Sequence, residues 1–309
     1  MEKNELNQNA RGGTELMQER MHRSLPADLL EKFQIIPSRV RELSLNKKHI
    51  LWLHDLPNDP ESQHLKDAVQ RKRFDKIVAV SDWQMQLYNL VLGLPYSECV
   101  VIKNGITPID IEKKEFDGTV RIIYHTTPHR GLELLVPVFD KLTEKYDNIT
   151  LDVFSSFSIY GWSQRDEPYK ELFERCKRHP KINYHGAVSN EQIREELKRS
   201  HIFAYPSIWP ETSCLAAIEA MSAMNLIVCP NYAALPETTA GFANMYQWSE
   251  NNTDHANKFY NALDLTIKGI NEYGIDHMRL AFQKQFADVM YNWDKRISRQ
   301  WEGLLHQLS

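Results

Sequence analysis

Short apolar runs alternate with longer amphipathic stretches along most of this chain. The runs predict strands at 33–37, 50–54, 76–81, 100–103, 121–125, 151–155, 182–185, 202–206, 226–229 and 244–246. Between many of them apolar residues recur at helical spacing, which predicts helices at 14–24, 62–73, 82–92, 131–145, 169–177, 190–200 and 213–223. Such alternation implies parallel sheets in doubly wound α/β layers. Ser189-Asn190-Glu191-Gln192 has the pattern of a capping box opening a helix. A polar, charged stretch at 108–118 ends in Asp117-Gly118, a turn signal, and marks the domain break. The chain from 255 onward reads as helices without strands.

Composition narrows the classes. The 309 residues suffice for about two domains. A formal net charge of −4 disfavours a general nucleic-acid binder, which would be basic. Cys99, Cys176, Cys214 and Cys229 are scattered without a C-x-x-C pair. That spacing disfavours a structural zinc and a disulfide framework, and it fits a reducing compartment. No apolar run is long enough to span a bilayer, and residues 1–11 lack the apolar core of a signal peptide. The expectation is a cytoplasmic protein, with peripheral contact at a membrane left open.

The densest chemistry lies in Trp209-Pro210-Glu211-Thr212-Ser213-Cys214-Leu215-Ala216-Ala217-Ile218-Glu219-Ala220-Met221. Glu211 falls in a turn after Pro210 and Glu219 in an Ala-rich helical run. At the helical rise, eight steps span roughly 12 Å, about the reach from the sugar to the ribose of a sugar nucleotide. The expected helix start between them offers free N–H groups and a dipole to a phosphate. Glu211 also suits a plain dipole-favoured acid at a helix start. Glu219 has apolar neighbours on nearly every side, so burying it unpaired would be costly. Open parallel sheets bind ligands at the carboxyl ends of their strands. His54-Asp55, Ser81, Asn104-Gly105, His125–Gly131 and Pro206–Glu211 all fall at such ends. Asp82 also reads as a helix N-cap after Ser81.

Taken in order, these pieces resemble the retaining glycosyltransferases of family 4. The resemblance is carried by Arg11-Gly12-Gly13-Thr14-Glu15, Leu51-Trp52-Leu53-His54-Asp55, Val78–Asp82, Ile102–Ile106, His125-Thr126-Thr127-Pro128-His129-Arg130-Gly131, His185-Gly186-Ala187-Val188, the segment from Tyr205 to Glu219, Leu235-Pro236-Glu237 and Tyr291-Asn292-Trp293. It implies an α/β fold of two Rossmann-like domains facing across a cleft (the GT-B arrangement). An acceptor-side domain would cover 1–117, a nucleotide-sugar domain 118–288, and a final helix at 289–309 would return to the first. It also implies transfer of a hexosyl group from a UDP- or GDP-linked sugar to an acceptor hydroxyl on a glycan, a lipid-linked sugar or a small molecule. The anomeric configuration would be retained, with no cofactor and no metal.

The resemblance assigns roles residue by residue. Glu211 would hold the donor sugar's hydroxyls, Glu219 the ribose, and Arg130 the diphosphate, where a cation stabilises the developing charge. Ser213, Cys214 and Leu215 would offer backbone N–H groups. Gly12, Gly13, Val188 and Thr212 complete the donor set, and His54 would organise the reacting face. Two departures stand out. Cys214 replaces a common glycine, and only about eleven polar residues precede the Gly-Gly turn where an apolar first strand is usual, so the N-terminal domain is expected to be shortened. Two other readings accompany this one: a sugar-nucleotide 2-epimerase, and a degenerate transferase that binds a sugar nucleotide or acts as a partner subunit. Self-association, or a partner chain supplying the missing strand, also stays open.

Overall fold

The computed structural model describes residues 12–309. Arg11 and the stretch expected to lack a first strand lie outside the described residues. All ten expected strands form, with ends shifted by a few residues. They are β1 (Phe33–Pro37), β2 (Lys48–Trp52), β3 (Lys76–Ala79), β4 (Cys99–Val101), β5 (Val120–Tyr124), β6 (Ile149–Val153), β7 (Ile182–Tyr184), β8 (Ile202–Ala204), β9 (Leu226–Pro230) and β10 (Asn244–Tyr246). The helices are α1 (Gly13–Ser24), α2 (Ala27–Leu30), α3 (Ala68–Arg71), α4 (Asp82–Leu92), α5 (Leu132–Thr143), α6 (Lys170–Arg178), α7 (Asn190–Arg199), α8 (Leu215–Ser222), α9 (Leu235–Thr239), α10 (Asn252–Tyr273), α11 (His277–Met290) and α12 (Ser298–Leu308). The chain divides into two compact units, with a break at Thr107/Pro108.

The first unit comprises Gly13–Thr107, Glu211–Leu215 and Val289–Ser309. Its four strands are all parallel, in the order β1-β2-β3-β4. One side of the sheet buries Ile50, Trp52 and Val78 against Met17 and Met21 of α1 and against Trp293, Ile297 and Trp301 near the C-terminus. The chain end is tied in by backbone bonds, Ile106 N to Tyr291 O at 2.7 Å and Trp293 N to Ile106 O at 2.9 Å. Gly105 is required at this seam, because a Cβ there would stand 2.9 Å from Ile297 and 3.1 Å from the Trp293 backbone. The continuous helix expected at 62–73 does not form. A 3₁₀ segment at Pro60–Lys66 and the short α3 replace it. Asp59 and Asp67 are both extended, and their carboxylates accept from Glu61 N and Val69 N, so Asp67 stops one helical segment and caps the next. At α4 the cap is Ser81, whose hydroxyl accepts from Gln84 N, rather than Asp82. Asp82 lies in the first turn, 3.7 Å from Lys103.

The second unit comprises Pro108–Pro210 and Ala216–Asp288. Its six parallel strands run in the order β10-β9-β8-β5-β6-β7. The chain enters at the centre on β5, winds outward to β7, then returns to pair β8 with the other side of β5. The direction of winding therefore reverses between β5 and β8, and the loops leaving these two strands diverge there. The central strands are almost wholly buried, which explains their continuous apolar runs. The expected capping box is present: Ser189 accepts from Gln192 N while the Gln192 side chain accepts from Ser189 N.

The polar stretch after the break carries a buried charge. Lys114 is 2% exposed, and its ammonium donates to Leu197 O, to Lys198 O at 3.1 Å and to Asn225 Oδ1 at 3.4 Å. It thus satisfies carbonyls in the last turn of α7, which have no helical partners of their own. Burial lowers its pKa well below the usual lysine value. Replacing Lys114 with Ala should destabilise the protein by about 2–3 kcal/mol, because the Lys198 carbonyl loses this donor and Leu197 O keeps only Asn225 Nδ2. A urea midpoint unchanged from the parent would contradict this account.

Candidate functional site

In the second unit, the loops after β5, β6 and β8 meet at the winding reversal. The loop after β5 turns through a 3₁₀ segment at Pro128–Arg130 into Gly131, whose φ is +125°. A Cβ on Gly131 would lie 2.2 Å from Pro206 O, so the loops after β5 and β8 touch backbone to backbone. Arg130 is thereby delivered to the loop that follows β8, and its guanidinium lies 6.0 Å from the ring centroid of Trp209. His129, its neighbour in the chain, reaches Trp209 as well. Its ring stacks on Phe157 at 5.2 Å and meets Trp209 edge-on at 5.0 Å. Phe157 belongs to the loop after β6, which Asp166 holds by accepting from Phe157 N at 2.7 Å and from the Ser156 hydroxyl at 2.5 Å.

These loops gather polar atoms that have no partner among the described residues. The hydroxyls of Thr126, Thr127 and Ser155, Nε2 of His125 and Nδ1 of His129 are buried in this way. Buried polar atoms in native proteins nearly always have partners, so these loops present a surface on which a polar ligand can be bound. The histidines are neutral at physiological pH. Burial pushes the pKa of His125 down to about 3. Burial, then the charges of Arg130 and Arg165, bring that of His129 to about 4.

Glu219 is also in this unit, on α8, and is 4% exposed. Its carboxylate accepts from Asn190 Nδ2 at 3.1 and 3.3 Å and from Arg194 Nη1 at 3.4 Å. Asn190 and Arg194 stand four residues apart on α7, so they share a face. Pairing removes the penalty that an isolated buried carboxylate would carry. Val188 lies in the same β7–α7 connection, partly buried.

The first unit collects a second group. His54 follows β2, with its ring 4.6 Å from Trp52. Its backbone N–H donates to the Ser38 hydroxyl at 2.7 Å, and Asp55 N donates to the same oxygen at 3.1 Å. Ser38 is itself left-handed, with φ of +58°. The His54 Nε2 is buried without a partner among the described residues, and burial lowers the ring's pKa to about 3. The Thr212 hydroxyl donates to His54 O at 3.0 Å, while the Ser81 hydroxyl donates to Thr212 O at 2.6 Å. Gly13 opens α1 close to Leu215, since a Cβ there would lie 3.0 Å from Leu215 Cδ1. Gly12, the residue before it, is buried and groups with the six-stranded unit. Glu211 and Cys214 are 4% and 3% exposed.

Several expectations need adjustment. Helix α8 opens at Leu215, not at 213. Ser213 and Cys214 therefore sit in a turn before it, and a helical rise does not measure the whole step from Glu211 to Glu219. The Thr212 hydroxyl proton goes to the strand-end carbonyl of His54. Glu211–Leu215 and Glu219 group with different units. Sequence reasoning missed Asn190, Arg194 and Ser38. The i, i+4 spacing of Asn190 and Arg194 was visible in the sequence, but what they would meet was not. Among the described residues, no group of three or more His, Cys, Asp or Glu side chains is arranged to hold a metal. No helix among them is long and apolar enough to cross a membrane.

Comparison with known proteins agrees with this architecture. The family model for glycosyl transferases group 1 matches residues 109–263, all of which except Glu211–Leu215 belong to the six-stranded unit. The chain belongs to that family. No curated protein sequence matches it individually. A glycosyltransferase from Rickettsia africae is 18% identical, with a TM-score of 0.71, over 99% of this chain and 84% of that one. Anabaena HepE, solved in complex with UDP-glucose, is 14% identical with a TM-score of 0.63, over 84% and 72%. Sucrose-phosphate synthase from Thermosynechococcus elongatus is 14% identical with a TM-score of 0.65, over 85% and 68%. At these identities the likeness is one of fold, the two-domain α/β fold of GT-B glycosyltransferases.

Two outcomes follow from the geometry. Gly131→Ala should cost at least about 2 kcal/mol, because the residue is left-handed and a methyl would strike Pro206; equal thermal stability would refute this. The depressed histidine pKa values make stability pH-dependent. Between pH 6.5 and about 3 the unfolded chain binds protons that His54 and His125 in the fold do not, so stability falls as pH falls. Each ring should remove about 1 kcal/mol between pH 7 and 5.5. Replacing His125 with Phe should flatten that slope in chemical denaturation by one proton.

Proposed function

We propose that this group 1 glycosyltransferase is a retaining hexosyltransferase of family 4, using a UDP- or GDP-linked sugar and an acceptor hydroxyl. The observation that carries the reading is the convergence of Arg130 with the loop after β8, where the winding of a doubly wound sheet reverses. A cation delivered there suits a nucleoside diphosphate, whose negative charge grows as the glycosidic bond breaks. The UDP-glucose held by the Anabaena relative makes a uridine donor the first to test.

In this reading Arg130 binds the diphosphate bidentately, as guanidinium geometry favours. Glu219 accepts the ribose hydroxyls, as a carboxylate with two acceptor oxygens can. Glu211 takes hydroxyls of the sugar, and the backbone of Ser213, Cys214 and Leu215 adds N–H donors. Gly12, Gly13 and Val188 allow close approach of the donor. His54 faces the reaction as a neutral imidazole and organises the acceptor. The acceptor oxygen attacks the anomeric carbon from the face the diphosphate leaves, and its proton passes to the departing phosphate oxygen. Configuration is thereby retained without a covalent enzyme intermediate and without a metal. The protein works in the cytoplasm in this reading, with the acceptor free in solution or presented at a membrane surface.

Arg130→Ala should lower donor turnover by about a hundredfold or more while leaving the fold intact, measured as nucleoside diphosphate release. Normal turnover in that variant would sink the site assignment. The anomeric configuration of the product, read by NMR, decides the stereochemistry, and inversion would overturn the family 4 reading. Tight binding of a donor with neither hydrolysis nor transfer would instead identify a degenerate binding protein.

A further inference from the structure

An aromatic column crosses the three loops of the six-stranded unit. Phe157 from the loop after β6 stacks on His129 from the loop after β5, and His129 meets Trp209 from the loop after β8. Trp209 ends the column and is 41% exposed. Its backbone is fixed on both sides. The Ser207 hydroxyl donates to Trp209 O at 2.9 Å and accepts from Trp209 N at 3.2 Å. The Arg130 guanidinium lies over the indole at 6.0 Å, within the reach of a cation–π attraction. His129, between the two loops, is neutral and adds no competing charge.

More than half of the indole is covered, and the covered part meets His129 edge-on and the Arg130 guanidinium. The Trp209 face is one of the contacts that restrain Arg130, and a side chain restrained beforehand loses less rotamer freedom on binding an anion. We infer that Trp209 is a positioning residue that holds Arg130 ready for the diphosphate of the donor, acting through the face of its ring. The chain of support runs from Asp166 through Phe157 and His129 to Trp209, so the loop after β6 bears on the diphosphate contact without touching it. This inference rests on the proposed role of Arg130. It adds that the role depends on an aromatic face at position 209.

The test is a double-mutant cycle read by calorimetric binding of UDP and GDP, using whichever binds the unmodified chain. Trp209→Leu keeps apolar bulk and removes the π face, while Trp209→Phe keeps a face. Trp209→Leu should weaken diphosphate binding about three- to tenfold, and Trp209→Phe should recover most of the loss. In an Arg130→Ala background the Trp209→Leu effect should disappear, because the two residues act as one unit. Uridine or guanosine alone, lacking phosphates, should bind all variants alike. If Arg130→Ala weakens diphosphate binding but Trp209→Leu changes nothing, or adds independently of Arg130, the inference is overturned and the proposed function stands. If Arg130→Ala leaves diphosphate binding unchanged, or neither diphosphate binds the parent, the proposed function falls and this inference with it. Circular dichroism of each variant separates these outcomes from loss of fold. A Trp209→Leu variant that fails to fold refutes a positioning role, because it makes the exposed ring a structural one.

Discussion

The parallel pairing of β5 with both β6 and β8 is the constraint on which the six-stranded unit's chemistry depends. Parallel strands cannot be joined by tight hairpins, so each connection crosses the sheet and every loop of one kind lands at the same end. Because the chain enters at β5 and winds outward in both directions, the loops after β5 and β8 part at the centre of that end. There the backbone of Gly131 meets Pro206, an approach that only glycine permits. Arg130 is one residue before that contact, which sets where its side chain begins.

Buried charge shapes the rest of this unit. Glu219 and Lys114 are both almost fully enclosed, yet neither is isolated. Helix α7 serves both, giving Asn190 and Arg194 from its body to the carboxylate and the carbonyls of Leu197 and Lys198 from its last turn to the ammonium. Removing a charge from water is tolerated only when hydrogen bonds replace the hydration. The result is a helix fixed at both its body and its end, beside a carboxylate whose geometry is set before any ligand arrives.

In the four-stranded unit the same economy of partners operates through hydroxyls. Ser38 receives the N–H groups of both His54 and Asp55, and Thr212 binds the His54 carbonyl. The backbone on either side of the histidine is therefore fixed while its ring Nε2 has no partner among the described residues. Its neutrality comes from burial alone. A ring so placed can accept or donate one hydrogen bond but cannot serve as a standing cation.

Much of this was legible in the sequence. Ten strands, the capping box at Ser189 and the burial of Glu219 follow from local pattern, because β-strand burial and helix caps are encoded within a few residues. The division of labour along 209–221 was harder to read. Helix α8 starts later than its Ala-rich run suggests, and Thr212 turns to a strand end far away in sequence. The helix at 62–73 failed for a local reason, since Asp67 is a far better cap than a helix-interior residue. What the sequence by itself determined was the order of elements, the strand-end placement of His54 and Arg130, and the family motifs. Only the tertiary structure decided which partners those residues meet: Arg194 for Glu219, Trp209 for Arg130, Ser38 and Thr212 for His54. The reason is physical. Periodicity records which face of an element avoids water, whereas the partner of a buried polar group depends on which loops the sheet order brings to one end.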